Sequence, residues 1–197
     1  AYVSGGGSLV GTYSSAITDE ELAVRTGGYL GALKSTLGIW IEEFDPPVVQ
    51  PAETGSGVIS HLSVTSDLFG GVVGASRWSE TIRVIDAEVM ATFTGSRSGP
   101  AVTIRRSRGN AWYVGTSLDD GALAALVSAV IHGSAVRPNP LARPGLEVVE
   151  RGSRTFVINH ADTATSIRPS LLGAHMEGSP VRIEPYGVVV LNGKREA

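Results

Sequence analysis

The chain has 197 residues, with 16 Lys and Arg against 19 Asp and Glu for a net charge of −3, and no cysteine. Charge this balanced gives no footprint for nucleic acid or an anionic membrane, and the missing thiols exclude disulfides, thiolate metal sites and a cysteine nucleophile. With 42% hydrophobic and 18% charged residues, the chain falls on the folded side of the disorder boundary, long enough for one compact domain or two small ones.

The opening AYVSGGG has no basic or long apolar segment and does not read as a signal peptide. It predicts the last turn of a helix, a reversal at Gly5 to Gly7, and a strand from about Ser8 to Ser15. A short helix follows near Gly31 to Leu37, capped by Gly38, and then a strand from Ile39 to Phe44. From Asp45 to Gly74 the density of Pro, Gly and Ser predicts a long loop with an embedded strand near Val58 to Val64.

Three strand-like runs come next: RWSETIRV, AEVMATFT and AVTIRRSRGNAWYVGT, the last folded into a hairpin at Arg108 to Asn110. The clearest helix lies in TSLDDGALAALVSAVIHGSAV, where Ser117 and Asp120 fit a capping box. Its Leu123, Leu126, Val127, Val130 and Ile131 repeat at helical spacing, and Gly133 ends it. The run from Ala122 to Ile131 is the most apolar stretch, and it is short of the ~20 residues a membrane span needs.

Pro138, Pro140 and Pro144 predict a stiff linker over residues 138–144. The expected division is therefore an α/β domain over 1–137 and a small antiparallel β domain over 145–197.

No chemical site emerges from the residues. Glu42 and Glu43 are neighbours on a strand and cannot face one another across the ~5 to 9 Å gap of a glycosidase pair. Polar strand-end residues is the plain reading of both, and of Asp45. The glycines of GGGSLVG precede their strand, whereas phosphate-binding glycines follow one and open a helix. Asp119 and Asp120 suit a helix N-terminus.

His61, His132, His160 and His175 have no metal-ligand spacing, and neither Ser14 nor Ser15 sits in a GxSxG elbow. NHAD, at Asn159 to Asp162, reads as a hairpin turn, and Arg105, Arg106 and Arg108 as a solvated hairpin. The expectation is no catalytic residue, no metal and no cofactor.

Several stretches taken in order do resemble a family. YVSGGGSLVGTYSSAITDE, GGYLGALKSTLGIWIEEFDP, SETIRVIDAEVMATF, GPAVTIRRSRGNAWYVGTSLD, PGLEVVERGSRTFVINHADTATSI and PYGVVVL are similar to the C-terminal part of bacterial β-galactosidases of glycoside hydrolase family 42. The resemblance implies a three-part parent: a catalytic (β/α)₈ barrel, an α/β trimerisation domain related in fold to class I glutamine amidotransferases, and a small β domain. The present chain matches the second and third, its sheet lacking the first strands of that fold. A barrel takes ~250 residues, so the family's catalytic glutamates have no counterpart here.

What the resemblance implies for function is non-catalytic homo-oligomer assembly, as a trimer, joined to the barrel of a cytoplasmic parent enzyme acting on terminal β-D-galactosides. Trp40, Phe69 and Trp78 are the candidate interface anchors, against ordinary core packing. The alternative is a free-standing remnant that binds carbohydrate or acts as a scaffold. Against its sugar-binding form, Phe156 and Tyr186 are expected in alternating strands facing a core.

Overall fold

The computed structural model describes residues 1–26, 29–45, 49–50, 58–59, 62–95, 97–172 and 179–192. The chain divides into two compact units, Ala1–Val136 and Arg137–Ala197. The first carries β1 (Ser8–Thr12), α1 (Lys34–Leu37), β2 (Ile39–Asp45), β3 (Val49–Gln50), β4 (Val58–Ile59), β5 (Leu62–Ser66) and β6 (Gly71–Val84). It continues through β7 (Glu88–Thr94), β8 (Pro100–Arg106), β9 (Asn110–Val114), β10 (Thr116–Leu118) and α2 (Asp120–His132). The second carries β11 (Leu146–Arg151), β12 (Arg154–Asn159), β13 (Thr165–Ile167), β14 (Val181–Ile183) and β15 (Val188–Asn192).

An eight-stranded mixed sheet organises the first unit, in the order β1-β9-β8-β7-β5-β6-β10, with β2 also paired to β6. Only β1 and β9 run parallel among its described pairs. Strand β6 is long enough to serve three partners in succession: β5 near its start, β10 in its middle and β2 toward its end. One strand passed between neighbours in this way makes the sheet curl.

Strand β9 is buried on both faces, and its alternation divides the core. Trp112 and Val114 join Val64, Phe93, Val102, Ile104 and Leu126 of α2 on one side. Ala111 and Tyr113 join Leu30, Leu37, Ile39, Ile41 and Ile82 on the other. Each such aliphatic side chain taken out of water contributes about 1.5–3 kcal/mol.

Several local expectations hold. A 3-10 turn at Gly31–Leu33 leads into the four-residue α1, and Gly38, at φ 67°, ends it with its N–H on the Lys34 carbonyl. That left-handed backbone suits glycine. The hairpin β8–β9 pairs Val102 with Val114 through Arg106 with Asn110.

Others are corrected. The expected α/β class with flanking helices gives way to a mostly β architecture, in which α2 is the one described α-helix longer than α1's single turn. In the stretch from Asp45 to Gly74 the strand expected near Val58 to Val64 is met by β4 and β5, while Gly70 to Gly74, expected as loop, belong to a hairpin. Leu62–Ser66 and the start of β6 form a tight hairpin, for which Gly70 and Gly71 supply φ of 72° and 137°. Pro46, Pro47, Pro51, Gly55 and Gly57 lie outside the described residues.

The cap of α2 is Asp119, whose side chain accepts from the Ala122 N–H at 2.8 Å. Ser117 belongs instead to β10, because Thr116–Leu118 pairs with β6. Only Ala122 and Leu126 of α2 are buried, while Leu123 and Val127 are each 47% exposed.

In the second unit, β11, β12 and β15 form one antiparallel sheet and β13 pairs with β14. Leu141 is buried in its core with Leu146, Val157, Ile167 and Ile183. Within the proline-rich stretch the Ala142 N–H closes a turn on the Asn139 carbonyl. Tyr186 does not face a core: it sits in the turn before β15 at φ 54° and is 70% exposed. No described helix is long and apolar enough to cross a membrane.

Candidate functional site

Trp78, Glu80 and Ile82 share one face of β6, since a strand alternates sides at each residue. Opposite them β2 carries a bulge: Ile41 pairs with Ile82 but Glu43 with Thr81, so Glu42 is the additional residue. A bulge shifts the alternation of the strand beyond it and so re-aims the side chains there. Phe44 is thereby returned to the face of Ile39 and Ile41, opposite Glu80.

The result is a continuous row of half-buried rings. Tyr29 meets Phe44 edge-on at 5.2 Å, Phe44 stacks on Trp78 at 5.2 Å, and Trp78 on Tyr13 at 6.0 Å. Such pairs add about 0.5–1.5 kcal/mol beyond area burial.

Beneath the row lies Glu80, only 3% exposed. One carboxylate oxygen, Oε1, accepts from the Ser14 N–H at 2.9 Å and the Trp78 Nε1–H at 3.3 Å. The other, Oε2, accepts from the Tyr113 hydroxyl at 2.5 Å. Burial first, and then the charge of Glu80, hold the Tyr113 phenol well above its ordinary pKa, so it stays a proton donor.

With both oxygens engaged by donors, the carboxylate is a clasp. It ties β6 to β9 and to the turn after β1, where Ser14 and Ala16 have positive φ of 63° and 52°. Sequence reasoning misses Glu80, although WSETI signals it: a glutamate on the same alternating face as Trp78 and Ile82.

Trp78 is in this row, and Phe69 and Trp40 are not. Phe69 packs against the α2-side core from the turn Asp67–Phe69. Trp40 lies on β2 with the Lys34 Nζ 3.4 Å above its ring. Two carboxylates of β2 go to separate partners: Glu42 faces Arg83 at 3.4 Å, and Asp45 meets Arg97 at 2.5 Å.

Arg105 and Arg106 pair with Asp86 and Glu88, and Arg105 holds the Asp86 carboxyl below its ordinary range. His132 bonds Ser128 within α2, and His160 meets Glu147 at 2.7 Å on the surface. His61 and His175 lie outside the described residues. Among the described residues no three His, Asp or Glu side chains converge as metal ligands.

The family described as Beta-galactosidase trimerisation domain matches residues 1–137. A beta-galactosidase of Arthrobacter sp is 34% identical over 179 residues, covering 86% of this chain and 24% of that protein. Beta-galactosidase LacZ of Heyndrickxia coagulans is 34% identical over 206 aligned positions, covering 97% of this chain and 29% of its own length.

The crystal structure of beta-galactosidase from Bacillus circulans sp. alkalophilus superposes with a TM-score of 0.78 at 26% identity, over 98% of this chain and 30% of that one. The chain thus spans less than a third of the length of these relatives. Through its match over residues 1–137, the chain belongs to the trimerisation-domain family of the glycoside hydrolase family 42 β-galactosidases.

Proposed function

We propose that this chain is the assembly portion of a β-galactosidase: it joins copies of itself into a trimer and thereby positions catalytic (β/α)₈ barrels elsewhere in a parent polypeptide. The family match over residues 1–137 carries this reading. The parent would hydrolyse terminal β-D-galactosides, and this chain by itself would not. What supports the second half of the statement is that the chain spans less than a third of the length of the β-galactosidases it matches.

The reading has finer parts. Residues 1–137 would be the assembly domain, an incomplete glutamine-amidotransferase-like sheet. Residues 138–144 would be its linker and 145–197 a separate β domain, and the parent would be cytoplasmic. Trp40, Phe69 and Trp78 would contribute apolar surface between copies, Trp78 foremost because its ring stands in the half-exposed row. Sedimentation equilibrium of the full chain tests the assembly: three chains per particle is the expected result, and single chains at every concentration would overturn it. Retention of the trimer by Trp78→Ala would remove that residue from the interface.

One observation favours a second reading, in which the chain is a free-standing carbohydrate-binding remnant. Tyr186 presents an exposed ring on the β domain, and aromatic faces suit sugars. Retardation on immobilised galactan, lost in Tyr186→Ala, would establish it. Equal mobility with and without galactan would reject it.

A further inference from the structure

The turn after β1 is strained, and Glu80 holds it. Ser14 and Ala16 stand at φ 63° and 52°, a left-handed backbone that residues with a Cβ rarely adopt and that persists only where the surroundings enforce it. Tyr13 fixes one side of the turn through its N–H on the Val114 carbonyl, and within the turn the Ser15 N–H bonds back to the Thr12 carbonyl. The Ser14 N–H reaches out of the turn to Oε1 of Glu80 at 2.9 Å. The Tyr13 ring beside it ends the aromatic row, stacked on Trp78, whose indole N–H meets the same oxygen.

An ionised carboxylate is acceptor-only, and three hydrogens converge on Glu80, from Ser14, Trp78 and Tyr113. A proton added to the carboxylate is a fourth. The phenol oxygen of Tyr113 can accept it, but the phenol's own hydrogen then has no acceptor in the cluster, and Tyr113 is 1% exposed. The bonds from Ser14 and Trp78 lose their charge assistance as well, which makes such bonds about twice as strong. Of the three donor residues Ser14 is the exposed one, so its N–H leaves most readily for water, and its departure relieves the left-handed strain.

Tyr113 is the titratable group in direct contact with Glu80. Tyr13 and Tyr29 approach it through the ring row. Glu43 and Asp45 of β2 pair with Thr81 and Ser79 and so lie on the other face of the strand pair, where Arg97 bonds Asp45 and Thr81.

We infer that Glu80 is an acid-sensitive latch on this turn: ionised, it holds Ser14 left-handed and Tyr13 against Trp78, and protonated, it lets the turn relax and opens that end of the ring row. The latch works within one copy and does not depend on assembly.

Two-dimensional NMR of the full chain, taken from neutral pH into acid, tests the latch through the ring contact between Tyr13 and Trp78. The wild type is expected to lose this contact in a one-proton transition while the amides of β9 keep their folded positions. Glu80→Gln, which carries the uncharged shape at every pH, is expected to lack the contact already at neutral pH. Ser14→Gly combined with Ala16→Gly frees the turn of left-handed strain and is expected to keep the contact at an acid pH where the wild type has lost it.

A ring contact that survives in the wild type wherever the chain stays folded, or that disappears only together with the β9 amides, overturns the latch. A folded Glu80→Gln chain with the contact intact overturns it too, as does equal loss in the wild type and the glycine variant. Should Glu80→Gln not fold, the wild type and the glycine variant decide alone.

Discussion

Replacing Tyr113 by Phe removes one oxygen from the interior and leaves the shape of the core unchanged. That oxygen is the donor to Oε2 of Glu80, 2.5 Å away, and the carboxylate is 3% exposed. Water has little access to replace the lost donor, so the cost is that of a hydrogen bond to a charged group, about 1.5–3 kcal/mol. At about 2–4 °C per kcal/mol for a chain of this size, the melting transition that reports the first unit falls by about 3–12 °C.

The loss should be read from urea unfolding followed by tryptophan fluorescence, because Trp78 and Trp112 lie in the same unit. An unchanged m-value would show that the perturbation is one of stability alone. Glu80→Gln supplies the companion measurement: placed on top of Tyr113→Phe, it should cost less than it does in the wild type, since the two residues share one contact. A Tyr113→Phe loss below ~0.5 kcal/mol, within the range of inconsequential surface changes, would refute the clasp.

Leu126→Ala opens a cavity beneath α2 at a site 1% exposed and should cost about 2–5 kcal/mol in urea unfolding. Gly38→Ala places a Cβ 2.9 Å from the Asp86 carbonyl oxygen at φ 67°, and strain of that kind should cost about 1–3 kcal/mol in thermal unfolding. Asp119→Ala removes the acceptor for the Ala122 and Gly74 N–H groups and should lower the melting temperature at neutral pH. These backbone bonds depress the folded pKa of Asp119, so its contribution is present above the unfolded value and lost as pH falls through the folded one. The gap between wild type and variant should therefore narrow on acidification; a gap independent of pH would contradict the assignment.

Local patterns predict local structure well. The helix ended by Gly38, the strand after it and the β8–β9 hairpin are each specified by contiguous residues: an apolar run, a glycine at positive φ, a turn between alternating arms. What cannot be read depends on pairing between distant residues. Ser117 looks like a cap until β6, some forty positions earlier, recruits it into a strand. The periodic stripe of α2 names the apolar residues correctly and cannot say which have a partner within the chain.

The candidate site is legible only in part. Trp78 stands out by its size, whereas the row around it depends on a bulge at Glu42 that is visible only in the register of β2 against β6. The alternation of its neighbours makes Tyr186 look like a core residue. The turn Glu184 to Gly187 lifts it out, with the Gly187 N–H bonded to the Glu184 carbonyl.

Native mass spectrometry of the full chain, counting subunits per particle, tests the assembly claim most directly. Three chains of 20.5 kDa per particle, persisting on dilution into the low micromolar range, is the predicted result. A single chain at every concentration would contradict the account.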